Sequence, residues 1–366
     1  MDGPVVIDGY IIGYEAPVHP QKFTAPEVIV PGQQYRKLFG LMRIGRLELL
    51  LPAASNGGLM VLLYFGLERA AGRTNPELDH LGLAAAIGLV VVLAGGLTLY
   101  GLALNDVVDT RWDRAFRPDR PLAAGRVATT TALTLAVCSL LGALLAAVLL
   151  GQVAALLCVV AAAGILFYNI VGKFLPAVGI VTLGLIRAVT MFAANPAAGF
   201  AWPILLMMVH VIFCAAVGYA LDAKRPRMTG RDWLGISGGV MFWTLALTVW
   251  MNHRGTLEPS VAGDVFLGPL AAVGVFVILA WRLLRGRTRS LRSSRAAGVT
   301  FIRVAMLWLI VYDVMWLLAA DLLVYGVSLA VACTVTALVW LVIEHSAGVE
   351  RAQYTVTPNA PSGEHL

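Results

Sequence analysis

"NDVVDTRWDRAFRPDRPLAAGRV", residues 105–127, places Asp106, Asp109, Asp113 and five arginines directly after a long apolar run. The sequence around it is written mostly in Leu, Ala, Val and Gly. The 366-residue chain is 59% hydrophobic and only 13% charged, with a mean hydropathy of +0.81. A soluble domain of this length needs a charged surface that such a composition does not supply. The chain reads as an integral membrane protein, and the dense charge at the mouth of an apolar segment calls for a reason.

Apolar stretches of about 20 residues, the length that carries an α-helix across the hydrocarbon core, recur ten times. They run 46–66, 82–104, 128–150, 152–170, 174–194, 202–221, 233–251, 264–284, 301–322 and 326–345. These runs are continuous and rich in Leu and Ala rather than alternating, which argues against a β-barrel. The expectation is an all-α membrane protein, a bundle of nine to ten transmembrane helices. Its parts are an N-terminal tail (1–45), a transmembrane domain (46–345) and a C-terminal tail (346–366). Within the tail, "IDGYIIGY" reads as a short extended segment. The first 40 residues are polar and lack an apolar h-region, so no signal peptide is expected there.

Basic residues mark the sidedness. Connections two, four, six and eight, counted from the N-terminus, carry the Arg and Lys clusters, among them Arg111, Arg126, Lys173, Arg227 and "WRLLRGRTRSLRSSR". Connections one, three, five, seven and nine hold only Arg69, Arg73 and Arg254. Both termini and the even connections are therefore expected on the cytoplasmic side of the cell (inner) membrane. The net charge of +6 is topology signal plus, in some connections, an anion site, and it does not point to nucleic acid. Cys138, Cys158, Cys214 and Cys333 fall inside apolar runs at no metal-like spacing and read as packing residues. There is no Walker motif, Rossmann fingerprint or soluble catalytic domain.

The opening segment now has a place. If the second helix continues to Asp113, then Asp106, Asp109 and Asp113 at i, i+3 and i+7 share one helical face over about 10 Å of rise. Carboxylates stacked so closely repel each other unless a cation lies between them. Such oxygen donors suit Mg2+, which takes one or two carboxylates together with phosphate oxygens. "RPDRPLAAGR" follows at once, with Arg117 and Arg120 on a Pro-stiffened loop, and guanidinium groups match phosphate. Together they describe a diphosphate site. The plainer reading, a solvated helix end with exposed ion pairs worth little, is outweighed by this juxtaposition.

The stretch resembles the first aspartate-rich motif of the UbiA superfamily of intramembrane prenyltransferases: N-D-x-x-D-x-x-x-D followed by R-P-x-R-P-L-x-x-G-R. Every position is filled, from Asn105 to Arg126. "FYNIVGK" resembles the family's Y-x-x-x-K element with one extra residue between Tyr168 and Lys173, and "GLIRAV" puts Arg187 inside the membrane. Where the family has its second aspartate motif, "GYALDAKRPRMTGRD" keeps Tyr219 and Asp222 but has no acid at +3 or +4; Lys224, Arg225 and Arg227 occupy that region. With its altered second motif and extended C-terminal segments, the chain is similar in overall pattern to the UbiA-like membrane proteins encoded in the eustigmatophyte–bacterial (Ebo) operon.

The resemblance implies a UbiA-type bundle around a central cavity, Mg2+ as cofactor and a prenyl diphosphate as substrate. It implies Asp106, Asp109, Asp113 and Asp222 as metal ligands, and Asn105, Arg117, Arg120, Lys173, Arg187, Lys224 and Arg225 on the diphosphate. Asp106, Asp109, Asp222 and Tyr219 would be the catalytic group. The implied activity is prenyl transfer to a small aromatic or lipid acceptor; a membrane terpene cyclase and a non-catalytic isoprenoid-binding or transport protein remain open beside it. Tyr64, Phe167, Phe192, Trp202, Phe213 and Tyr219 are aromatics that could wall an apolar pocket. Asp313 lies inside the ninth apolar run, where a lone carboxylate is costly, and is expected either to pair with Arg187 or another helix or to be protonated. Asn56 reads either as a substrate contact or as part of a close helix approach with Gly57 and Gly58. His210, alone on an apolar helix, reads as a hydrogen-bonded packing residue.

Overall fold

Each apolar run becomes a helix, because hydrocarbon offers the backbone no partner outside its own i→i−4 ladder. A computed structural model describes residues 6–7, 10–11, 46–116, 120–222, 227–253, 263–285 and 291–354. The helices are α1 (Leu47–Leu63), α2 (Leu83–Val108), α3 (Thr110–Phe116), α4 (Thr129–Leu150), α5 (Gln152–Ile170) and α6 (Pro176–Ala194). They continue with α7 (Trp202–Asp222), α8 (Gly230–His253), α9 (Leu267–Leu284), α10 (Leu291–Ala319) and α11 (Leu323–Tyr354). All but the short α3 are long and apolar enough to cross a membrane. Two-residue strands, Val6–Ile7 and Tyr10–Ile11, pair antiparallel within the segment read as extended.

Large apolar side chains such as Leu145, Leu156, Leu234 and Val324 are more than 60% exposed. On a soluble protein this would be a liability; on a bundle in lipid it is the outer wall. Inside, α1, α2, α4, α5, α6, α7 and α10 follow one another in contact and close a ring, because α10 returns to α1. Outside the ring, α8 lies on α6 and α7, α9 on α10, and α11 on α10 and α1.

Small residues set how closely the ring closes. A Cβ on Gly96 would stand 2.7 Å from the Ser139 carbonyl of α4, and one on Gly184 would stand 2.9 Å from the Met208 carbonyl of α7. Gly57 is the close-approach glycine of α1, since its Cβ would meet Val90 Cγ1 at 2.5 Å, whereas Gly58 has only an ordinary contact. Without a hydrophobic drive between helices in lipid, such contacts carry much of the association.

Polar side chains bolt the ring at two depths. In the middle, the Asp313 carboxylate of α10 accepts from Ser55 Oγ at 2.5 Å and from Asn56 Nδ2 at 2.8 Å, both on α1. His210 of α7 donates from Nε2 to the Ala305 carbonyl at 2.9 Å, and Tyr312 hydroxyl donates to its Nδ1 at 3.2 Å. These partners assign the neutral tautomer and satisfy both ring nitrogens, in keeping with a packing role. Towards the end opposite the aspartates, α1 finishes in a π-turn, Tyr64–Glu68. The buried Glu68 accepts there from the Gly199 and Phe200 N–H groups. Asn75 donates to Asn195 at 2.7 Å, and Asn195 donates to the Met60 carbonyl, which closes that end of the ring. Tyr64, with its hydroxyl on Asp79, belongs to this closure rather than to a pocket wall.

The ninth apolar run is shorter at its end than its composition indicates. Asp321 adopts φ 58° and Leu322 N–H bonds the Leu317 carbonyl at 2.9 Å, a left-handed C-terminal cap that a short polar residue tolerates. The chain therefore turns at 320–322, and α11 starts at Leu323.

Gly184→Ala is expected to destabilise the detergent-solubilised protein by about 1–3 kcal/mol, because the new methyl meets backbone as well as Ile212. Gly88→Ala, with open space around its Cβ, should stay within about 0.5 kcal/mol. Thermal unfolding of the two variants beside wild type checks the contrast.

Candidate functional site

The aspartate segment is helical but broken once. α2 ends at Val108, Asp109 takes φ −84° and ψ 0°, and α3 resumes at Thr110. Thr110 Oγ1 binds the Asp106 carbonyl at 2.7 Å and the Val107 carbonyl at 2.9 Å, the back-bonding that bends a helix. Backbone bonds Asp109 N–H to Asn105 and Asp113 N–H to Asp109 preserve the i, i+4 register across the break. The expected sharing of one face thus holds with a bend at the middle carboxylate.

Each of the three carboxylates meets a cation. Arg120 Nη1 stands 2.6 Å from Asp113 Oδ2 and 3.3 Å from Asp106 Oδ1, so one guanidinium nitrogen spans both acids. Arg46 Nη2 reaches the same Asp106 oxygen at 3.2 Å. Lys173 Nζ binds Asp109 Oδ1. Asp106, Asp113 and Lys173 are 3%, 4% and 6% exposed, so these pairs sit away from water, where Coulombic attraction is strong and a lost partner is costly.

Lys173 owes its position to the turn after α5. A single 3-10 turn, Gly172–Phe174, runs into Pro176 at the start of α6, and a Cβ on Gly179 would stand 2.2 Å from the Gly172 carbonyl. Gly179 is therefore the residue that lets this turn tuck under α6. One turn earlier on α5, Asn169 is 3% exposed; its Nδ2 donates to the Ile165 carbonyl at 2.9 Å, and its Oδ1 is buried without a partner. Gly101 of α2 lies against Ile165, so a turn further along these parallel helices Asn105 and Asn169 stand level.

The structure thus gathers Asp106, Asp109, Asp113, Arg120 and Lys173, with Asn105 beside them. Two members were missed in the sequence. Arg46 is the first residue of the first apolar run, 46–66; Asn169 sits within the quoted "FYNIVGK". Arg187 is not brought to this cluster. It lies eleven residues into α6, and its charge is felt by Asp313 instead. Tyr219 is half-buried on α7, and Asp222 is that helix's last residue, with its side chain outside the described residues. Arg117, Lys224 and Arg225 also lie outside the described residues. Among the aromatics, Phe167 and Phe213 are exposed on the outer wall, while Phe192 packs on Trp250 and Trp202 on Phe266.

Among the described residues no three acidic, His or Cys side chains converge on a ready-made metal cage. The donor set nonetheless fits Mg2+, which prefers one or two carboxylates plus phosphate oxygens to an all-protein cage. A cationic nitrogen already occupies the position between Asp106 and Asp113, and the orphaned Asn169 Oδ1 is a neutral oxygen donor level with Asn105.

An apolar helical ring with paired carboxylates and cations at one mouth is the frame of a multi-pass membrane protein. Residues 59–302 match the UbiA prenyltransferase family, and the chain belongs to that family. No curated protein matches it. Among solved structures, a digeranylgeranylglyceryl phosphate synthase is 16% identical with a TM-score of 0.45, over 76% of this chain and 98% of that one. A UbiA homolog from Archaeoglobus fulgidus bound to GPP and Mg2+ is 15% identical with a TM-score of 0.39, over 80% and 99%. Its DMAPP- and Mg2+-bound form is 16% identical with a TM-score of 0.39, over 80% and 98%.

Removing the cation that spans two acids is expected to leave a vacancy that Mg2+ fills. Arg120→Met should unfold at lower temperature than wild type without Mg2+ and gain more thermal stability on Mg2+ addition. An equal Mg2+ response in both proteins would show that Asp106 and Asp113 do not take the ion.

Proposed function

We propose that the protein is a Mg2+-dependent intramembrane prenyltransferase that ionises a prenyl diphosphate and transfers the prenyl group to a small aromatic or lipid acceptor. The observation that carries this reading is the meeting of Asp106, Asp109 and Asp113 with Arg46, Arg120 and Lys173 at the mouth of an apolar ring, in a chain of this family. Asp106 and Asp113, with Asn169 beside them, would hold Mg2+, which supplies charge neutralisation for the leaving diphosphate. Arg120 and Lys173 change partners from carboxylate to phosphate oxygens as the substrate arrives, so the site exchanges one set of ion pairs for another. The sequence neighbours Arg117, Lys224 and Arg225 add positive charge for the same anion, and Asp222 and Tyr219 complete the set from α7.

The C–O bond of the diphosphate breaks and its electron pair leaves with the diphosphate, whose charge the Arg and Lys side chains stabilise. The remaining allylic cation would lie among the apolar side chains that wall the ring between its mouth and its mid-depth polar layer, which limits its exposure to water. The acceptor's electron pair then forms the new bond to the allylic carbon, and the acceptor gives up a proton, for which Asp222 is the base at that mouth. Clustering of basic residues on the connections at the aspartate end supports a cytoplasmic placement of this site, following the positive-inside bias.

Diphosphate release from geranyl, farnesyl and geranylgeranyl diphosphate, with and without a membrane extract as acceptor source, tests the reading. Asp106→Ala and Asp109→Ala should each lower Mg2+-dependent release at least 100-fold, and retained release would sink the site assignment. Release independent of extract with a hydrocarbon product identifies a cyclase, and binding without release identifies an isoprenoid-binding protein. For sidedness, Ala124→Cys at the aspartate end should react with a membrane-impermeant maleimide only in inside-out vesicles, and Ala71→Cys only in right-side-out ones.

A further inference from the structure

A second polar layer lies deeper in the ring. Arg187 shares the α6 face of Ile180, Gly184 and Met191, all buried, so its guanidinium points into the bundle, not at lipid. The residue keeps some accessible surface. It attracts Asp313, yet no hydrogen bond or ion pair joins it to a described residue. Asp313 spends its own oxygens on Ser55 and Asn56. Asn56 is fully buried, and its Oδ1 has no partner. One layer thus combines a guanidinium in need of an acceptor and a carboxamide oxygen in need of a donor. Both are unmet in a medium where an unmet polar group is costly.

A single hydroxyl answers both needs, because its oxygen accepts and its O–H donates. A carboxylate would satisfy Arg187 alone, leave Asn56 Oδ1 unmet and add negative charge beside Asp313. From Pro176, level with the Lys173 turn, α6 rises about 16 Å to Arg187. That depth matches the length of a diphosphate, the reacting carbon and one small ring. Ser55, Asn56 and Asp313 lie outside the 59–302 family match, while Arg187 lies within it.

We infer that Arg187 and Asn56, with Asp313 and Ser55 holding Asn56 in place, form the anchor for the hydroxyl of a phenol or alcohol acceptor. This rests on the prenyl-transfer reading for its purpose, though not for its binding test. Asn56 Oδ1 is sealed from solvent, so the hydroxyl reaches it by displacing neighbouring apolar side chains while the Asn56–Asp313 bonds stay in place.

Calorimetric titration of the detergent-purified full chain with 1-naphthol and with 1-methoxynaphthalene tests the anchor, since the ether lacks the donor. Wild type should bind naphthol at least 10-fold tighter than the ether. Arg187→Met should reduce that ratio to near one while leaving Mg2+-dependent geranyl diphosphate binding unchanged. Arg187→Lys, which keeps the charge without the fork, should lose most of the discrimination and serves if the Met variant does not fold. Equal binding of the two probes by wild type, or no binding of either, would overturn the anchor and leave a structural charge pair only. Loss of geranyl diphosphate binding with naphthol binding intact would also overturn it, and would return Arg187 to the diphosphate. Naphthol discrimination in a protein that never binds geranyl diphosphate would support the anchor and remove the prenyl-transfer reading.

Discussion

A charge inside an apolar bundle has to be matched by protein or by ligand, because hydrocarbon solvates nothing. This constraint orders the molecule along its axis. At the mouth, Asp106, Asp109 and Asp113 are matched by Arg46, Arg120 and Lys173. At mid-depth Asp313 is matched by Ser55 and Asn56. At the closed end Glu68 is matched by the backbone at Gly199 and Phe200. Each layer ties helices far apart in sequence, so the ring's closure and its polar content are one design.

The mouth layer differs from the others in how its matching is done. Glu68 is held by backbone N–H groups, which cannot leave without unfolding the α6–α7 connection. The mouth acids are held by long, flexible Arg and Lys side chains, one of which serves two acids at once. Such partners can swing to a phosphate without moving a helix. On the proposed reading, Arg120 and Lys173 would move to a leaving diphosphate, and the acids they release would take a metal ion.

Small residues make the remaining geometry possible. Gly96, Gly179 and Gly184 each remove a side chain where backbone carbonyls of a neighbouring turn or helix approach within 3 Å of the missing Cβ. Gly179 in particular places Lys173, since the turn before α6 folds against it. A residue with no chemistry of its own thereby sets the position of the lysine that pairs with Asp109.

The ten membrane-length helices and the helical class were determined by the sequence itself, because a run of about 20 apolar residues has one stable form in a bilayer. The spacing of Asn105, Asp106, Asp109 and Asp113 likewise survives in any nearly helical backbone, bend at Thr110 included. Pairing was decided only by tertiary structure. Arg46 and Asp106 are 60 residues apart, Lys173 and Asp109 64 apart, and Asn56 and Asp313 257 apart. Apolar periodicity carries no record of which helices become neighbours. Arg187 shows the consequence: in sequence it is one more cation near a diphosphate motif, and in the fold its helix register sets it deep beside Asp313. Which charge meets which depends on the order in which helices close the ring, and that order is a property of packing.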